Sequence, residues 1–209
     1  ALARKDIALA TELGREFRKV FIAEKGHKLL SLDYSQLELR IAAHIAKDEK
    51  MVSAFKKGID IHAETAAEVF DIPLEKVSPE MRREAKALNF GIIYGMGPQG
   101  FARSAGITQS EAKKFIERYF DEFPKIREYM DRMRAEAHDN GVVFTLLGRR
   151  RQISEIYSSI PEVIRQAERM AINFPVQGTE ADIVKLAMIE ISKYLHKNYK
   201  NDDAKMLLQ

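Results

Sequence analysis

Within the stretch RREAKALNFGIIYG (82–95), Arg82, Lys86, Phe90 and Tyr94 stand four residues apart. Steps of four keep side chains on one broad face of a helix. That face presents two cations, a flat ring and a phenol in order, while Ala85, Ala87, Leu88 and Ile92 lie elsewhere. Arginine suits phosphate as a fork and lysine as a point charge; the two rings suit a sugar and a base. From Arg82 to Tyr94 the rise is roughly 18 Å, enough for a triphosphate, sugar and base laid along the helix. The same spacing also describes an ordinary amphipathic helix with a solvated basic end and a core-facing aromatic end. Spacing alone leaves both readings open.

Asp33 follows Leu29, Leu30 and Leu32 in KLLSLDY (28–34), which reads as a strand. A carboxylate in such apolar company is costly unless paired, hydrogen-bonded or metal-bound. At a strand end it suits Mg²⁺, which takes one or two carboxylates plus substrate phosphates; it equally suits a cap for the helix beginning near Ser35. Arg169, Asn173 and Gln177 form another four-step series, interrupted by Pro175. All three can donate to minor-groove acceptors, which sit alike in every Watson–Crick pair, although such residues near a helix end are commonly plain surface. GMGPQG (95–100) matches G-x-G-x-x-G, but it follows a helix and contains proline, which excludes the dinucleotide-binding reading. The five histidines show no zinc spacing; His62 reads as a surface or cap histidine.

The elements that must carry these residues are mainly helices. QLELRIAAHIAKDEKMVSAFKKG (36–58) reads as one helix and DIHAETAAEVF (60–70) as the next. Ser78-Pro79-Glu80 opens the helix of the four-step face. Residues 96–107 read as a loop or a short broken helix. Thr108 to Glu111 form a capping box for the helix that follows, and Pro124 separates it from another ending at Asn140-Gly141. VVFTLLGRRRQIS (142–154) reads as a hairpin turning near Gly148. Two helices, about 160–174 and 177–197, are expected on either side of Pro175, and AKMLLQ (204–209) looks like the start of a strand. The fold class is α+β, mostly helical.

The 209 residues are 45% hydrophobic and 31% charged with a net charge of +3, which fits a globular protein and not one that coats polyanions indiscriminately. Basic residues cluster instead at Arg82, Arg83, Lys86 and Arg103, and at Arg149 to Arg151. Without cysteine there is no disulfide framework and no thiolate metal site, which fits a reducing cytosol. No run of about 18 apolar residues suggests a membrane span.

Together the stretches resemble the polymerase domain of the family A DNA polymerases, the bacterial DNA polymerase I group. DYSQLELRIAAH (33–44) is similar to the family's first palm motif and RREAKALNFGIIYG to its fingers-helix motif. GIDIHAETAAEVF (58–70), TLLGRRR (145–151) and AERMAINFPVQGTEADIVKLAMI (167–189) follow in the family's order and spacing. The resemblance implies a right-hand palm, with an antiparallel sheet, and helical fingers. It implies a palm portion at 1–57, fingers at 58–140 and a return toward the palm at 141–209. Asp33 and the carbonyl of Tyr34 would bind Mg²⁺. Gln36, Glu38, His62, Arg82, Lys86, Phe90 and Tyr94 would bind the incoming deoxynucleoside triphosphate, with Glu38 excluding a ribose 2′-hydroxyl. Arg169, Asn173 and Gln177 would contact the primer–template through its minor groove. Asp33 and Lys86 would serve catalysis, in which a primer 3′-hydroxyl attacks the α-phosphate and pyrophosphate leaves. The implied setting is a bacterial cytoplasm, at the nucleoid.

The chain also departs from the family pattern. A third palm motif, Val-His-Asp-Glu, is expected directly after KMLLQ and is absent, as are thumb and exonuclease segments; little or no primer extension is expected of this chain alone. The palm strands it lacks leave room for a partner chain that supplies them. ALARKDIALA (1–10), Gln152-Ile153-Ser154 and Glu180 differ from the family's usual residues. The alternative reading is a non-catalytic nucleotide- or DNA-binding remnant, or one half of a split polymerase.

Overall fold

The computed structural model describes residues 14, 16–17, 19–199 and 203–207. The chain divides into two compact units, 1–35 and 36–209. In the first, the described residues include no strand, and the one expected at KLLSLDY is not formed. A strand must hand its N–H and C=O groups to a neighbour, and the described residues of this unit supply none; Leu29, Leu30 and Leu32 are exposed.

The second unit is helical. Helices α1 (Leu37–Ala46) and α2 (Glu49–Lys56) replace the single helix expected there. Lys47 turns left-handed (φ 57°), and the Asp48 side chain accepts the Met51 N–H at 2.9 Å, capping a new start. Helix α3 (Ile61–Phe70) leads to α4 (Pro79–Ile93), which starts as expected: Ser78 Oγ accepts from Met81 N at 3.2 Å and Pro79 fills the first turn. The 96–107 stretch holds a genuine helix, α5 (Pro98–Ala105). Helix α6 (Gln109–Glu122) carries the expected capping box, and α7 (Pro124–Asn140) stops at Gly141 in the left-handed region.

The hairpin forms with β1 (Val142–Phe144) antiparallel to β2 (Arg150–Gln152), pairing Val142 with Gln152 and Phe144 with Arg150. It is the only sheet among the described residues. Residues 205–207 form no strand, and Leu208 and Gln209 lie outside the described residues.

The break expected at Pro175 does not occur: α8 (Pro161–Asn198) runs through it. A proline inside a helix removes one N–H and crowds the preceding turn. Here one hydrogen bond from a neighbouring helix and one within α8 flank the proline. The buried Tyr129 phenol donates to the Ile172 carbonyl at 2.6 Å, and Thr179 Oγ1 donates to the Pro175 carbonyl at 2.6 Å. Although α8 has 38 residues, no helix among the described residues is long and apolar enough to cross a membrane.

One apolar core joins α1 to α8 around Leu39, Met51, Ile61, Leu88, Phe101 and Tyr119. A smaller one, from Ala137, Val143, Ile153, Ile156, Ala167 and Ala171, seats the hairpin on α7 and α8. The hairpin approaches α8 so closely that a Cβ on Gly178 would lie 2.5 Å from the Thr145 methyl.

Candidate functional site

Helix α4 is two-sided, as its spacing predicts. Ala85, Leu88, Asn89 and Ile92 are buried; Arg82 and Lys86 are exposed, and Phe90 and Tyr94 half-buried. Arg82 and Asp60 form an ion pair (Nε to Oδ2, 2.6 Å). Asp60 also caps α3, its Oδ1 accepting the His62 and Ala63 N–H groups at 3.0 and 3.3 Å. Burial pushes the Asp60 carboxyl up, but Arg82 and those two N–H groups together outweigh it and hold it below its ordinary value. Only Nε of Arg82 is engaged; its terminal NH₂ groups make no hydrogen bond among the described residues.

His62 is not the surface or cap histidine its spacing suggested. It is 2% exposed, with its ring 5.8 Å from that of Phe90 and its Nδ1 3.1 Å from Asn89 Nδ2. Burial pushes its pKa down to about 4, against Asp60 and with help from Arg82 and Lys86. The imidazole is therefore neutral at pH 7. Arg82 and Lys86 are near enough to His62 to act on its charge.

The far end of the face is tied down. Tyr94 donates to Glu38 on α1. Burial first, and Glu38 second, push the phenol up to about 12, so it stays neutral. Gly95 follows with φ +68°, and a Cβ there would lie 3.0 Å from Arg169 Cγ. Both its backbone and its closeness to α8 call for glycine. Arg169 Nη2 lies 3.7 Å from Glu162. Asn173 is half-buried and its Oδ1, fully covered, has no hydrogen-bond partner among the described residues; Gln177 is exposed. Gln36 holds the left-handed N-cap of α1 (φ 55°), its carbonyl accepting from Arg40 N at 3.1 Å.

Of the second basic cluster, Arg149 is structural. It grips Asp182 on α8 through Nε (2.9 Å) and Nη2 (2.5 Å), while Thr145 Oγ1 donates to the other carboxylate oxygen at 3.1 Å. The Arg149 hydrogen bonds hold the Asp182 carboxyl below its ordinary value.

Asp33 and Tyr34 belong to the first unit and are exposed. Among the described residues, no three His, Cys, Asp or Glu side chains gather into a candidate metal site. These residues do not by themselves fit a magnesium centre.

Asp60, Asn89 and Thr65 were not singled out from sequence. An aspartate directly before IHAET is an N-cap signal and could have marked Asp60. The partners of Asn89 lie 24 and 27 residues away, and no local pattern announces them.

The sequence profile described as DNA polymerase family A matches residues 5–209. DNA polymerase I of Caldicellulosiruptor bescii is 48% identical over 98% of this chain, and the thermostable DNA polymerase I of Thermus aquaticus 45% over 98%. Each match covers 24% of the relative, so the chain spans about a quarter of their length. The POL domain of Pol1 from M. smegmatis, solved in complex with DNA primer-template and dNTP, superposes with a TM-score of 0.76 at 41% identity. That match covers 79% of this chain and 29% of that one. The chain belongs to DNA polymerase family A.

Proposed function

We propose that this chain is the nucleotide-reading part of a template-directed DNA polymerase, comprising a palm portion (1–57), fingers (58–140) and a return toward the palm (141–209). The observation that carries the reading is the α4 face. Arg82 and Lys86 are exposed cations beside a neutral His62, followed by Phe90 and then a Tyr94 anchored to Glu38. Arg82 and Lys86 neutralise the triphosphate, Phe90 packs on the sugar, and Tyr94 marks the base end. Glu38, held by Tyr94, stands where a 2′-hydroxyl would be tested. Arg169, Asn173 and Gln177 face the primer–template duplex. Asp33 and the Tyr34 carbonyl are one part of a magnesium site whose other ligands come from outside the described residues. The setting is the bacterial cytoplasm.

The test is a titration of the chain, mixed with primer–template, using a non-hydrolysable deoxynucleoside triphosphate. Saturable binding is expected, weakening as phosphates are removed, with little or no extension when ordinary triphosphates and Mg²⁺ are supplied. A nucleoside that binds as well as its triphosphate would refute the assignment of the basic end. Robust extension that is lost in Asp33→Ala would show that the residues present do complete a metal centre.

A further inference from the structure

The polar network behind the α4 face fixes the position of one proton. Thr65 Oγ1 gives its single proton to the Ile61 carbonyl at 2.7 Å. Toward Asn89 it can then only accept, and Asn89 Nδ2 lies 3.0 Å away, nearer than Oδ1 at 3.3 Å. The same Nδ2 lies 3.1 Å from His62 Nδ1. An amide NH₂ carries two protons and accepts none, so one goes to Thr65 and the other to His62. Reversing the amide would set its oxygen against a hydroxyl whose proton is already committed. Thr65 and Asn89 are fully buried and His62 nearly so, which leaves little room for water to substitute for any member of the chain.

We infer that Asn89 is a positioning residue: it keeps His62 Nδ1 bare and its ring proton on Nε2, so that the imidazole meets the triphosphate as a neutral donor. The inference rests on the reading of α4 as the nucleotide face. Among the described residues Nε2 makes no hydrogen bond of its own, which leaves its proton available. The charged groups around the ring are Asp60 on its own helix and Arg82 and Lys86 on α4; burial outweighs Asp60 and keeps the ring uncharged. A neutral donor adds a hydrogen bond to the phosphate without adding a third positive charge beside two cations.

Long-range ¹H–¹⁵N correlation spectra of the chain labelled in histidine test this directly. At pH 7, His62 is expected to show a protonated Nε2 and a bare Nδ1. Asn89→Asp places an acceptor of the same shape at Nδ1; it should draw the proton there and weaken binding of a non-hydrolysable deoxynucleoside triphosphate roughly tenfold. A protonated Nδ1 in the parent chain, or a proton averaged over both nitrogens, would overturn the inference. If the tautomer switches in Asn89→Asp and triphosphate affinity does not change, the tautomer assignment stands and the contact of His62 with triphosphate is wrong. The parent spectrum needs no variant, so a wrong tautomer would overturn the inference even if Asn89→Asp misfolds.

Discussion

Replacing Lys86 with alanine is expected to weaken binding of a deoxynucleoside triphosphate between roughly 10- and 150-fold. A hydrogen bond to a charged group contributes about 1.5–3 kcal/mol, and each 1.4 kcal/mol is about tenfold in affinity. Lys86 is exposed and packs into no core, so its loss should leave stability nearly unchanged and separate binding from folding. Arg82 differs, because Asp60 already holds its Nε; part of any gain from phosphate there is offset by loosening that pair. The effect of Lys86→Ala should shrink as salt rises, since exposed charges are screened. Calorimetric titration of parent and variant at two salt concentrations checks both statements. Unchanged affinity would mean that the basic end of α4 is only a solvated surface.

His62 makes the second large effect, on stability against pH. Its pKa falls from 6.5 to about 4 on folding, chiefly through burial. As pH drops below 6.5 the unfolded chain takes up a proton that the folded chain refuses until about pH 4. In that window the unfolded state binds more protons, so stability falls with falling pH. Above 6.5 the contribution is fully present; below 4 the loss is complete, at about 3 kcal/mol. Asp48 and Glu64 act in the opposite sense, because burial raises both carboxyls and the folded state protonates first. The histidine effect is therefore read as a difference between the parent and His62→Gln in urea unfolding at pH 7 and pH 4.5. The parent should lose the larger amount. Equal losses would mean that His62 takes up its proton in the folded chain as readily as in the unfolded one.

What was legible in the sequence was local. Ser78-Pro79-Glu80 and the Thr108–Glu111 box announce helix starts through contacts three residues long, and both formed. The four-step face is a property of one helix and survived intact. The misread elements each depended on distant partners. The Lys47 turn contains neither glycine nor proline, and the cap at Asp48 that stabilises it looks like an ordinary helical acid. Pro175 was overread because Tyr129, 43 residues from the Ile172 carbonyl it serves, lies beyond any local pattern. The Leu29–Leu32 run had strand character but no neighbour among the described residues to pair with. His62 is buried against Asn89 and Phe90 of another helix, and Arg82 gains its partner from the cap of α3, neither of which a local pattern shows.

On the proposed reading, the α4 face would hold a nucleotide with its phosphate tail at Arg82 and its base at Tyr94. Two photoreactive deoxynucleoside triphosphates test it most directly, one with the reactive group on the γ-phosphate and one with it on the base. The phosphate probe is expected to label residues near Arg82 and Lys86, and the base probe residues near Tyr94 and Gly95. Both labels should be suppressed by excess unmodified triphosphate. Labelling in the reverse order, or competed labelling confined to segments away from α4, would show that the nucleotide does not lie along this face in that direction.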